Sequence, residues 1–231
     1  MSDRRFSAIA ARARIASRPA RPANGRVARL DPGVELVWHL RKAARAAREA
    51  GELERARDLY RQLVERLVDD GDALHWLGVL EHRLGRPVAG RKCLARAVAL
   101  GPRSVRRRLD LARMLEACGA HAAALEHYLA AARLDPGDCA IRRGLGRIFL
   151  ALKRVDEAVQ TLGRARLLAP DDVGIRADLE AACAEAACGA GDTLQERRRW
   201  AEAAACYRRA LELVPGHERA LAELDACLAR L

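Results

Sequence analysis

The chain has 231 residues, with 42 Lys and Arg against 31 Asp and Glu, a net charge of +11 at pH 7 and 51% apolar side chains. That is material for one or two packed domains, but aromatics at 3% are too sparse for a base-stacking platform, and no stretch approaches the roughly 18 apolar residues of a membrane span. The reading is a soluble, cytoplasmic protein, and the excess of arginine over lysine along the whole chain, with only Lys42, Lys92 and Lys153 on the lysine side, is read as the bias of a GC-rich bacterial genome.

Residues 1–33 differ from the rest: prolines at 19, 22 and 32, arginines from Arg4 to Arg29, and Asp3 and Asp31 as the only acids. Polarity without a buried face predicts a disordered tail. The same stretch fits a transit peptide, being arginine-rich and acid-poor. It also fits a short amphipathic anchor using Phe6, Ile9 and Ile15 against an anionic surface. Arg4-Arg5-Phe6 opens like a twin-arginine signal, but Arg12 and Arg14 interrupt the apolar core that should follow.

From residue 34 to 231 the chain repeats. Pro102, Pro136 and Pro170 stand 34 apart, as do Ala44, Gly78, Ala112 and Gly146, and Tyr60, Leu94, Tyr128 and Leu162. A fixed period in this range marks a stacked array. The first unit, 37–70, carries Ala44, Gly51, Ala56 and Tyr60 but has Val68 in place of the proline. The second, 71–104, runs through Leu74, Leu77 and Gly78 to a break at Gly85, and Pro87 then opens a second run through Leu94 and Ala97 to Gly101-Pro102. Apolar residues three and four apart give each run one buried stripe, and proline inside a helix start with Gly-Pro past its end suits helix termini. Each unit is therefore two helices. The units 105–138 and 139–172 follow the same pattern, and small residues at the eighth and twentieth positions let the paired helices approach closely.

The period then breaks, because Pro215 lies 45 residues after Pro170. Landmarks Gly191, Ala203, Tyr207 and Ala210 place a fifth unit at 184–217, with an insert at 173–183. Eleven residues turn a helix by three turns and about 20°, so Ile175, Leu179 and Cys183 fit the buried face of a lengthened first helix. Gly189 and Gly191 weigh toward the alternative, a separate short helix. Residues 218–231 repeat the apolar spacing once more through Leu221, Leu224 and Leu228 and read as a capping helix over the last open face.

These landmarks resemble the tetratricopeptide repeat, which combines Leu-Gly, a helix break, an Ala, an aromatic, another Ala and a Pro. The match is carried by Leu77-Gly78, Gly85, Gly90, Leu94, Ala97 and Pro102; by Leu111-Ala112, Gly119, Ala124, Tyr128, Ala131 and Pro136; and by Leu145-Gly146, Ala158, Leu162, Ala165 and Pro170. The resemblance implies an all-α solenoid of helix-turn-helix repeats. It also implies a non-catalytic adaptor that binds a partner segment in a groove lined by the first helices, at positions 2, 5, 9, 12 and 13 of each unit. On the first four units eight arginines and three acids fall there, so the partner is expected to be a protein or peptide with an acidic segment. The candidate contacts are Arg41, Arg45, Arg48, His75, His82, Arg83, Arg106, Arg113, Arg143 and Arg147. The family's clamp for a terminal carboxylate would fall on Arg41, Arg45, Trp76, Arg106 and Asp110, and lacks its asparagines here.

A second reading makes the array a module of, or partner to, a glycosyltransferase- or sulfotransferase-type enzyme. Nucleic acid is disfavoured by the interleaved acids despite the net charge. No cofactor or metal is expected. The seven cysteines contain no Cys-x-x-Cys pair and read as packed, reduced thiols. His75 and His82 lie two helical turns apart, roughly 10 Å, too far to share a metal. Neither a phosphate loop nor a nucleophile elbow is present, so no catalytic residue is assigned.

Overall fold

The structure, a computed structural model, describes residues 32–231. Among them are eleven α-helices and no strand: α1 Pro32–Glu49, α2 Leu53–Arg66, α3 Gly71–Arg83, α4 Pro87–Leu100, α5 Val105–Ala117, α6 His121–Leu134, α7 Cys139–Ala151, α8 Val155–Leu168, α9 Val173–Glu196, α10 Trp200–Leu213 and α11 Glu218–Leu228. The tail reading of residues 1–33 lies outside the described residues as far as residue 31. Pro32 and Gly33 belong to α1.

Helix starts repeat as regularly as the apolar landmarks. Asp70, Ser104, Asp138 and Asp172 stand 34 apart, immediately before α3, α5, α7 and α9. Asp70 accepts from the backbone N–H groups of Asp72 and Ala73, Asp138 from those of Ala140 and Ile141, and Asp172 from that of Ile175. Ser104 Oγ lies 3.4 Å from Arg107 N. Each cap satisfies donors that the first helical turn leaves without a partner.

The other ends are just as regular. A residue in the left-handed region follows each first helix: Gly51 at φ 78°, Gly85 at 77°, Gly119 at 73°, Lys153 at 60° and Arg198 at 58°. The N–H after each reaches back to a carbonyl of the last turn, as Arg86 does to Glu81 at 2.8 Å and Arg154 to Phe149 at 2.8 Å. This bond absorbs a carbonyl that the helix end leaves open and reverses the chain into the second helix.

The described residues form two compact units, one ending at Met114 and the other spanning Leu115–Leu231. In the first, α1 packs on α2, α2 on α3 and α3 on α4, around Val37, Leu40, Ala44, Tyr60, Leu63 and Leu80. Close approach of α3 and α4 depends on two glycines, since a Cβ on Gly78 would stand 2.9 Å from the Gly90 carbonyl oxygen and one on Gly90 2.8 Å from that of Gly78. In the second unit α6 to α11 pack in sequence order. Tyr128, Ile141, Ile148, Leu162 and Ile175 are fully buried there, each contributing on the order of 2 kcal/mol relative to exposure. Val173 stands 34 residues after Cys139, so α9 begins in phase and runs on for 24 residues, with 173–183 inside it. Next to α10, α11 buries Ala220 and Cys227 against Ala203, Tyr207 and Ala210. The architecture is an all-α solenoid of helix pairs.

Candidate functional site

On α1 of the first unit, Arg41 Nη2 donates to Asp70 Oδ2 at 2.5 Å. The same carboxylate caps α3 through its other oxygen. Arg45 Nε donates to Glu49 Oε1 at 2.8 Å. That hydrogen bond raises the arginine's pKa and lowers the carboxylate's. On α5, Arg113 Nη1 lies 3.8 Å from Asp110 Oδ1. His75 is only 3% exposed, with Nε2 2.7 Å from Asp110 Oδ2, so it belongs to the interior rather than to an open face. His82 is half-buried.

Two of the candidate arginines are held differently. Trp76 on α3 takes the guanidinium carbon of Arg48, from α1, at 3.7 Å from its ring centroid and that of Arg106, from α5, at 4.4 Å. Stacking uses the face of the guanidinium and leaves its in-plane N–H donors available. Arg83 and Arg106 are exposed and form no ion pair among the described residues. Arg48 reaches Glu49 only at 3.4 Å.

In the second unit Arg143 Nε donates to Asp178 Oδ2 at 2.5 Å, a hydrogen bond that raises the arginine's pKa. Arg147 Nη2 lies 2.6 Å from Glu116 Oε1, and the other oxygen of Glu116 accepts from Tyr128 Oη at 2.7 Å. Further along α9, Glu185 and Asp192 are bound by Arg219, and Asp192 also accepts from the Tyr207 hydroxyl at 2.7 Å.

These pairs share a spacing. Asp72 with Arg107, His75 with Asp110 and Arg143 with Asp178 are each 35 residues apart. One period plus one residue sets a side chain on one first helix against a side chain on the next. Sequence reasoning counted the charges on each helix face and missed this pairing. Its signal was present as polar or oppositely charged residues at a separation of 35.

Among the described residues no group of three or more His, Cys, Asp or Glu is placed to hold a metal, and no helix is long and apolar enough to cross a membrane. All seven cysteines are free thiols. Burial is the leading cause that pushes Cys93 and Cys188 up from the ordinary thiol range, which lowers their reactivity.

Models described as tetratricopeptide repeat match residues 41–91 and 89–138, 115–183, and 184–217. Among solved structures, a crystal structure of MamA protein aligns at a TM-score of 0.62 with 17% identity, covering 78% of this chain and 92% of that one. MamA 41-end from Desulfovibrio magneticus RS-1 aligns at 0.60 with 15% identity, covering 79% and 97%. TTC0263, a thermophilic TPR protein in Thermus thermophilus, aligns at 0.52 with 20% identity, covering 84% and 99%. At such identities the likeness is one of fold. No curated protein matches. Repeated helix pairs with their charged side chains displayed along the first helices define a scaffold for protein–protein interaction, and the family points to a non-enzymatic repeat protein. The chain belongs to the tetratricopeptide-repeat family.

Proposed function

We propose that this scaffold holds an acidic segment of a partner protein against the arginines of its first helices. The observation that carries the reading is the pair of guanidinium groups stacked on Trp76. Arg106 is fixed in place by the ring with no carboxylate partner among the described residues, whereas Arg48 also donates to Glu49 at 3.4 Å. Stacked arginines lose less freedom on binding and grip a carboxylate through two parallel hydrogen bonds. Arg83, exposed and without an ion pair among the described residues, adds a further positive charge at the end of α3. Arg41, Arg45, Arg113, Arg143 and Arg147 already face an acid, so a partner carboxylate there gains only the difference between two exposed pairs, commonly under about 1 kcal/mol. Their contribution is to orientation and rate of encounter.

The test is binding of the partner recovered from nuclease-treated lysate to the wild-type chain and to Arg48→Glu/Arg106→Glu. Loss of about tenfold or more, with binding that weakens as salt rises, supports the reading. Equal affinity with the helical signal intact overturns it, and loss of all captured material on nuclease treatment assigns the charge to nucleic acid instead.

A further inference from the structure

Around Trp76 the first unit gathers more positive charge than its own acids neutralise. Arg48, from α1, and Arg106, from α5, place their guanidinium carbons 3.7 and 4.4 Å from the ring centroid. The two charges are therefore no further apart than those distances laid end to end, about 8 Å, and at such a separation salt only partly screens their repulsion. Two carboxylates reach this cluster. Glu49 accepts from Arg45 Nε at 2.8 Å and from Arg48 Nη2 at 3.4 Å through the same oxygen. Asp110, one helical turn beyond Arg106, is engaged by His75 at 2.7 Å and faces Arg113 at 3.8 Å. Four guanidinium groups thus share two carboxylates, and two positive charges stay uncompensated.

The donors that remain lie in the guanidinium planes, because stacking covers only a face of each group and Glu49 takes only Nη2 of Arg48. A carboxylate filling one fork with two hydrogen bonds leaves the other fork open, so the complement is two carboxylates rather than one. Their spacing follows from the ring that both arginines share. In an extended chain every second side chain points the same way, about 6.6 Å apart, while adjacent ones point to opposite sides. Helical neighbours one turn apart stand about 5–6 Å apart, a poorer match to two like charges that meet across an indole.

We propose that the Trp76 site reads two acidic residues separated by one other in an extended partner segment, one carboxylate on Arg48 and the second on Arg106. The inference rests on the acidic-segment reading above and gives that segment its motif. The count of charges selects two acids, and the shared ring selects their separation. With both in place the repulsion between the two guanidinium groups is relieved, so the second carboxylate binds more strongly in the presence of the first.

The probes are acetyl-Glu-Ala-Glu-amide, acetyl-Glu-Glu-amide, acetyl-Glu-Ala-Ala-Ala-Glu-amide and the singly acidic acetyl-Glu-Ala-Gln-amide. Each is titrated into the full chain and followed through the Trp76 indole N–H resonance, identified by its loss in Trp76→Phe. Glu-Ala-Glu should bind about tenfold more tightly than each of the others. Arg48→Gln and Arg106→Gln, with the helical signal unchanged, should each lower it to the level of Glu-Ala-Gln. Should Arg106→Gln disturb the helices, Arg106→Lys keeps the charge and loses the fork, and should still weaken Glu-Ala-Glu severalfold. Equal affinity for the three diacidic spacings overturns the proposal, as does the lack of any shift with Glu-Ala-Glu. Inorganic phosphate that moves the resonance at the same concentrations as Glu-Ala-Glu makes the ligand a single dianion and overturns it too. If the spacings bind alike and all are lost in Arg48→Glu/Arg106→Glu, the acidic-segment reading stands and the motif fails. If Glu-Ala-Glu alone binds while the recovered partner is indifferent to that double change, the motif stands and the partner reading fails.

Discussion

Arg143 on α7 and Asp178 on α9 lie 35 residues apart in sequence and 2.5 Å apart at Nε and Oδ2. The guanidinium passes over Gly174, where any Cβ would collide with it. With Asp72–Arg107 and His75–Asp110 repeating the step, neighbouring first helices are joined by polar side chains. The exposure of each pair decides what it contributes.

The Arg143 and Asp178 side chains are 36% and 22% exposed, so a double-mutant cycle with alanine at both sites should give a coupling of only about 1 kcal/mol or less. Asp110→Ala should cost more, about 2 kcal/mol, because it strips His75 of its Nε2 partner in the interior. Urea denaturation of the four variants and of Asp110→Ala checks both. A larger coupling for the exposed pair than the loss at Asp110 would contradict this ordering.

Arg198 stands in the left-handed region at φ 58°, at the position that three other units fill with glycine. Arg198→Gly should stabilise the fold by about 1 kcal/mol, a rise in melting temperature of about 2–4 °C for a chain of this size. Gly85→Ala should move it the other way. A melting temperature that does not rise would mean that the arginine side chain holds the turn through contacts worth as much as the strain.

Burial first, and then the hydrogen bond to Asp192, push the Tyr207 hydroxyl well above its ordinary pKa of 10.0. Burial does the same to Tyr60. A raised pKa means that the folded chain holds the proton after the unfolded chain has lost it. The stabilisation is therefore complete below about pH 10 and shrinks as pH climbs above that value. Melting temperature should fall with alkaline pH from that point. Tyr207→Phe should start lower at neutral pH, for want of the Asp192 bond, and fall less steeply. An identical alkaline slope in the two proteins would remove Tyr207 from the account.

The period was legible because packing demands it. Pro102, Pro136 and Pro170, and the large residues at Tyr60, Leu94, Tyr128 and Leu162, recur because each helix pair meets the same neighbours, and buried shape leaves little freedom of residue type. Gly78 and Gly90 could be read as close-approach positions for the same reason. The charged face was less legible. Counting arginines on first helices took no account of Asp70, Asp110 and Asp178, which lie outside the counted positions and neutralise Arg41, Arg113 and Arg143. Position in the unit puts His75 on the face, but the geometry puts it inside against Asp110. Trp76 carried no signal at all by spacing, since its role depends on Arg48 and Arg106 arriving from two other helices. The left-handed Lys153 could have been found by aligning it with Gly51, Gly85 and Gly119.

A charge exchange between scaffold and partner tests the acidic-segment reading directly. Arg106→Glu is expected to weaken the recovered partner by about tenfold or more, and reversing one acidic residue of the partner's segment to arginine should restore most of that loss by recreating the pair with its signs exchanged. Binding that is untouched by Arg106→Glu, or lost and not recovered by any reversal along the segment while both proteins remain folded, would contradict an acidic segment held at the Trp76 stack.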